Sequence, residues 1–236
     1  MLTTHAAHNE TCAYNSRKVT STPVTVALVA QQDSARQSVE QFILQGYQKA
    51  FRACFSEFMP QLITLTKGKH CAALGLRNAQ QPLFIEQYLA APIETLTLFS
   101  SQQVARSQIV EIGNLYSNAK PLTLPLFLLT AVALFINEQR YMVFAGTEQV
   151  LSLIQSTGIT PTVICPAKAE YIQNREDNWG RYYETNPNVV AVDLQQVVKV
   201  INRTPRYSKM FEQLSDEIAQ LSQTLSLHLP FKHTGK

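Results

Sequence analysis

The segment IVEIGNLYS (109–117) places a glutamate and an asparagine inside what is otherwise the make-up of a buried strand. Ile109, Val110, Ile112 and Leu115 suit a pleated core strand, and Glu111 and Asn114 interrupt them. An ionised carboxylate in a dry interior is costly unless it is paired or its pKa rises. Glu111 therefore either lines a wet cleft or is answered from within the core. The plainer answer is an ion pair with a buried arginine such as Arg77.

Two other segments carry groups capable of chemistry. LFIEQYLAAPIE (83–94) holds Glu86 and Glu94. Taken as extended chain at its start, it sets Phe84, Glu86 and Tyr88 on one face. Two carboxylates beside a cleft can grip an amino substrate, although Glu94 after Pro92 equally suits the start of a helix. NWGRYYE (178–184) gathers Trp179, Tyr182 and Tyr183 around Arg181. Such aromatics line a tunnel or close a core, and the Tyr183 hydroxyl offers a proton donor. The five histidines show no paired spacing, so no metal site is expected. No Gly-x-Ser-x-Gly elbow occurs, and Cys165 in VICPAK reads as a core thiol because no histidine is near in sequence.

These residues need a scaffold, and periodicity supplies one. VTVALVA (24–30) is β-branched and short, a strand. From Asp33 a helical pattern runs through Val39, Phe42, Ile43, Tyr47, Phe51 and Cys54, with capping-box spacing at Ser34 and Gln37 and a stop at Pro60. LITLTKGKHCAALGLR gives an antiparallel hairpin around Lys-Gly-Lys, and residues 83–104 start extended and end in a short helix near Pro92. A strand at 108–116 is followed by an apolar helix at about 122–138, a strand at 141–146 and a helix closed by Gly158. The chain then reads as irregular until two extended pieces flank Asn186-Pro187. This order implies an α/β fold with a mixed, mostly antiparallel twisted sheet flanked by helices.

Tyr207, Phe211, Leu214, Ile218, Leu221 and Leu225 form an apolar seam on a C-terminal amphipathic helix. The seam spans about two and a half heptads, too few for a coiled coil. Docking on its own domain is the first reading, with homodimer pairing or membrane contact as alternatives. The expected division is a flexible tail at 1–22, a main domain at 23–204 and a helical extension at 205–236.

Composition bounds the classes. The 236 residues are 45% hydrophobic and 16% charged, which fits a globular core. A net charge of +3 without any Lys/Arg-rich run speaks against nucleic acid. Four scattered cysteines without CxxC spacing suit free thiols in a reducing compartment, while a secreted form would allow one or two disulfides. The N-terminus lacks the pattern of a signal peptide, so a cytoplasmic location is expected. The most apolar stretch, 121–136, is shorter than the roughly 18–20 residues a membrane span needs.

Taken together, LFIEQYLAAPIE (83–94), IVEIGNLYS (109–117) and NWGRYYETNPNV (178–189), with GLRNA (75–79) ahead of them, resemble the thermostable hemolysin family over roughly residues 36 to 195. The family's strand-helix order is similar to the N-acetyltransferase-like fold, especially the acyl-homoserine-lactone synthases. The resemblance implies a β-bulge in the Glu111 strand, with Gly113 permitting the distortion, and a V-shaped gap that takes the pantetheine arm of an acyl thioester. It implies Glu111 as base and Glu86 and Glu94 on the amine; the residues themselves add Tyr183 as acid, with Arg77, Asn114 and Trp179 as further substrate-binding candidates. Leu115, Tyr116, Ser117 and Lys120 would border the thioester. No permanent cofactor is implied. The co-substrate would be a thioester of coenzyme A or of acyl carrier protein, and the acceptor a small amine or amino acid. One departure is plain: the loop SNAKPLTLP (117–125) has no glycine, and Pro121 and Pro125 each lack an N–H. The family name implies the alternative, a secreted toxin that lyses membranes directly through segment 121–136 or the C-terminal helix. An N-acylated, detergent-like product would give lysis by a third route.

Overall fold

The computed structural model describes residues 24–174 and 176–228. Its elements run β1 (Thr25–Val29), α1 (Arg36–Phe51), β2 (Gln61–Thr66), β3 (His70–Asn78), α2 (Thr97–Ser100), β4 (Ile109–Ser117), α3 (Lys120–Ile136), β5 (Tyr141–Gly146), α4 (Glu148–Gln155), β6 (Thr162–Pro166), β7 (Asn188–Asp193), α5 (Leu194–Arg203), α6 (Pro205–Gln213) and α7 (Ser215–His228). One seven-stranded sheet has the order β1-β2-β3-β4-β5-β7-β6. Every pairing is antiparallel except β4 with β5, so the sheet is mixed and mostly antiparallel, as expected.

The apolar helix α3 lies on one face, where Leu126–Ala131 are buried with Ile63, Leu74, Ile112 and Val192. Pro121 falls in its first turn, where a missing N–H costs nothing because it would have no helical acceptor. The expected loop 117–125 is therefore largely helix. Among the described residues, no helix is long and apolar enough to cross a membrane. The opposite face carries α1 and an aromatic cluster, and beside it the segment 83–104.

Several expectations are corrected. The first helix has Ala35, not Ser34, at its N-cap, with no side-chain cap, and ends at Phe51 where Arg52 turns left-handed (φ 59°). Residues 52–59 then run over the β3–β4 face, where Met59 packs on Gly75 and Gly113, and Cys54 bridges to Asn178. Segment 83–104 is not extended: it forms 3-10 turns at Phe84–Tyr88 and Ile93–Thr95 before α2. The first of the two pieces expected to be extended around Asn186-Pro187 contains a 3-10 turn at Tyr182–Thr185. An edge strand, β6, stands where the sequence reads as irregular. The C-terminal seam is broken at Leu214 into α6 and α7, with Leu214 outside helical geometry (φ −113°). Both helices still turn their apolar residues inward, and Tyr207, Ile218, Leu221 and Leu225 join the main core. Asn137 at the end of α3 donates to the Ser222 carbonyl (3.0 Å) and hydroxyl (2.9 Å), fastening α7 in place.

Candidate functional site

The site is built by a parting of two strands. β4 pairs with β5 through Ile109–Tyr141, Val110–Met142 and Glu111–Val143, and there the ladder stops. β5 runs on beside β7 to Gly146. On its other side β4 changes register against β3: Gly75 faces Gly113, yet Ala73 faces Tyr116, leaving one extra residue on β4. That is a β-bulge. Its left-handed residue is Asn114 (φ 50°) rather than Gly113, a correction to the expected source of the distortion. Asparagine tolerates this conformation, and its Oδ1 accepts the Met59 N–H at 2.8 Å. Gly113 is needed for space instead: a Cβ there would lie 2.5 Å from Met59 Cε, and one at Gly75 would lie 2.4 Å from Met59 Cβ.

The resulting cleft holds about 380 Å³ and opens between the forked strands, the 55–59 crossing, the Phe84–Tyr88 turn and the Trp179–Tyr183 segment. Strand alternation sends Val110 and Ile112 into the α3 core and turns Glu111 to the other face. Glu111 is 1% exposed and lines the cleft at the fork. Its Oε2 accepts the Phe84 N–H and its Oε1 the Ile85 N–H, both at 2.9 Å. Arg77 Nη1 stands 4.0 Å from Oε2. The core therefore does answer this carboxylate, chiefly through two amides and only secondarily through the arginine. Burial still dominates over those amides and Arg77, and pushes the Glu111 pKa up to about 7.

The aromatic wall stands opposite. Trp179 stacks on Phe55 (centroids 5.0 Å, 10°) and leans on Phe84 at 5.7 Å. The Tyr183 hydroxyl is 2.6 Å from that of Tyr88, and burial outweighs this bond to raise Tyr183 to about 12. Leu115, Tyr116, Ser117 and Lys120 line the far end, below the start of α3.

Of the expected site residues, the fork gathers Glu111, Asn114, Arg77, Trp179 and Tyr183 with that far-end group. Glu86 and Glu94 are not brought there, which corrects their expected place beside the cleft. Both pair with Arg106, at 2.6 Å from Glu86 and through a shorter contact from Glu94, on a separate groove. Glu86 also accepts the Leu83 and Ile93 amides, so it organises the turn that in turn holds Glu111. Partial burial opposes its ionisation, but the Arg106 bonds and these amides hold Glu86 down at about 2. Glu57, Asp177 and Tyr88 line the cleft without having been singled out by the sequence reading. Asp177 Oδ1 accepts from the Ser56 amide at 3.0 Å across 121 positions of sequence, a proximity no local pattern signals.

The sheet and its flanking helices form an N-acetyltransferase-like fold, as the resemblance implied. The fold is similar to the acyl-homoserine-lactone synthase LasI (TM-score 0.53, 9% identity, 73% of this chain and 91% of that one). It is also similar to FeeM, an N-acyl amino acid synthase from uncultured soil microbes (0.51, 13%, 77% and 96%). A third is BjaI, a CoA-dependent acyl-homoserine lactone synthase solved with SAM and isopentyl-CoA (0.50, 12%, 77% and 89%). At the sequence level, residues 29–198 match the thermostable hemolysin family, and the chain belongs to that family. No protein of curated function matches the sequence.

Proposed function

We propose that this protein is an N-acyltransferase that moves an acyl chain from a thioester to an amine, with Glu111 as the general base. The observation that carries the reading is a nearly inaccessible carboxylate, held by two amides at the strand fork, with its pKa raised to about 7. A base poised near neutrality is what amine activation asks for. Two fold neighbours, one a synthase of N-acyl amino acids and one a CoA-dependent synthase bound to isopentyl-CoA, support the same chemistry.

The unpaired edge of β4 beyond Glu111 suits an extended, amide-bearing pantetheine arm, which can add to it as a strand would. The amine nitrogen attacks the thioester carbonyl carbon, directly or with one water relaying its proton to Glu111. The N–C bond forms and the C–S bond breaks. Glu111 then returns the proton to the departing sulfur, leaving an amide, a free thiol and an unchanged enzyme. Tyr183 stays neutral at a pKa of about 12, which suits it to donate a hydrogen bond to that sulfur rather than to surrender its proton.

Carrier protein is favoured over free coenzyme A as donor. The Asn118 amide is committed to Cys71 O (3.1 Å), that of Ala119 to Ser117 Oγ (3.2 Å) and that of Leu122 to Ala119 O (2.8 Å), while Pro121 has none. The Lys120 amide is left to meet a phosphate at the start of α3, with the Lys120 side chain as the cation beside it, a thinner cradle than a run of free amides.

The test is product detection. Purified protein is given long-chain acyl thioesters on carrier protein and on coenzyme A with a pool of amines and amino acids, and a new acyl amide is sought by mass spectrometry. An acyl amide supports the reading. Its absence with every donor, together with dye release from liposomes by the protein alone, would replace it with direct lysis.

A further inference from the structure

We infer that the amine acceptor is a free α-amino acid with a large apolar side chain, held through its carboxylate by Arg77. The inference rests on the acyltransferase reading of the cleft and names its acceptor. Arg77 and Glu111 are directly opposed partners across β3 and β4, so a guanidinium and a carboxylate rise side by side into one cleft. An α-amino acid presents the complement, an amine and a carboxylate on one carbon. With its amine on Glu111, its carboxylate falls over Arg77.

Arg77 has the capacity to receive it. The side chain is 12% exposed. Among the described residues, Nη1 has only a 3.4 Å contact to the Pro82 carbonyl and the 4.0 Å approach to Glu111. Nη2 is bonded at 2.6 Å to Glu57, whose side chain is 51% exposed and can swing into solvent when a ligand carboxylate displaces it. A planar guanidinium binds a carboxylate through two parallel bonds, which fixes orientation as well as affinity. Beyond this pair stand Phe84, Trp179, Tyr182 and Tyr183, a wall that favours an aromatic or branched apolar side chain over a charged one.

The test uses the full chain and matched ligands: leucine against isoamylamine, and phenylalanine against phenethylamine. Each pair differs by the carboxylate alone. Trp179, the only tryptophan, reports binding by fluorescence without any need for turnover. Each amino acid is expected to bind about ten- to hundredfold more tightly than its amine, the usual weight of a charge-assisted double bond. Arg77→Met should bring that ratio close to one, and Arg77→Lys should leave part of it. Equal binding of amine and amino acid by the natural protein would overturn the inference, as would a ratio preserved in Arg77→Met or no binding of either class. The two readings fail separately. Carboxylate-dependent binding with no acyl amide from any donor keeps the acceptor site and removes the transfer reaction. Equal acylation of amines and amino acids keeps the reaction and removes the assignment of Arg77.

Discussion

Glu111 is a carboxylate whose environment pulls in two directions: amide donors that favour its charge and burial that opposes it more strongly. A folded-state pKa raised to about 7 means that the folded protein holds the proton more tightly than the unfolded chain. The stabilising effect is complete below the ordinary carboxylate range and is lost as pH rises through about 7. Urea unfolding of the natural protein and of Glu111→Gln between pH 5 and 8 should show this. The natural protein should lose on the order of 3 kcal/mol relative to the variant across that range. A difference independent of pH would show that Glu111 is ionised throughout. Glu86 behaves oppositely: its bond to Arg106 stabilises above the ordinary carboxylate range and fails as pH falls towards 2. At this scale the sequence was partly legible. A glutamate among β-branched residues announces itself, whereas Arg106, Glu57 and Asp177 sit in loops and turns without a period, and only the fold brings them to their partners.

The bulge in β4 is the element that turns a sheet into a site. Asn114 holds it by adopting a left-handed backbone and by accepting the Met59 amide. Asn114→Ala loses both supports and should destabilise by about 2–3 kcal/mol, read by thermal or urea unfolding. Gly75→Ala should cost more than Gly113→Ala, because the clash at Gly75 is with the root of Met59 and that at Gly113 with its flexible tip. At the start of α3 the committed amides predict that carrier-linked acyl chains give at least about tenfold higher kcat/KM than acyl-CoA, through missing phosphate contacts worth a little over 1 kcal/mol. Comparable values for the two donors would reopen the coenzyme A route. Elements with a clear period were legible: β5 is bounded at 141–146 as its apolar run suggested. Segment 83–104 was not, because 3-10 turns have no long repeat, and β6 was missed because an edge strand with Val163 turned to solvent lacks alternation.

At the scale of the molecule, the C-terminal helices are part of what keeps the sheet folded. Ile218, Leu221 and Leu225 are buried in the core shared by α3 and β1–β5. Leu225→Ala should cost about 2–5 kcal/mol. Removing residues 215–236 should abolish cooperative unfolding, whereas a helix reserved for membranes would detach without that loss. Such a truncation would also bear on lysis, since a lytic C-terminal helix requires these residues free. The overall architecture was legible because the alternation of strands and helices admits few arrangements. The fork was reached through the family resemblance and not through periodicity, because it depends on β5 following β7 instead of β4, a choice made by packing between distant segments.

The most direct measurement is acyl-amide formation by the natural protein and by Glu111→Gln across pH 5.5–8.5, with circular dichroism and Trp179 emission confirming an intact fold. The rate of the natural protein should rise with an apparent pKa of about 7. Glu111→Gln should fall by at least about a hundredfold and lose that inflection. A folded Glu111→Gln that transfers acyl chains at the natural rate would contradict the assignment of the buried carboxylate as the base.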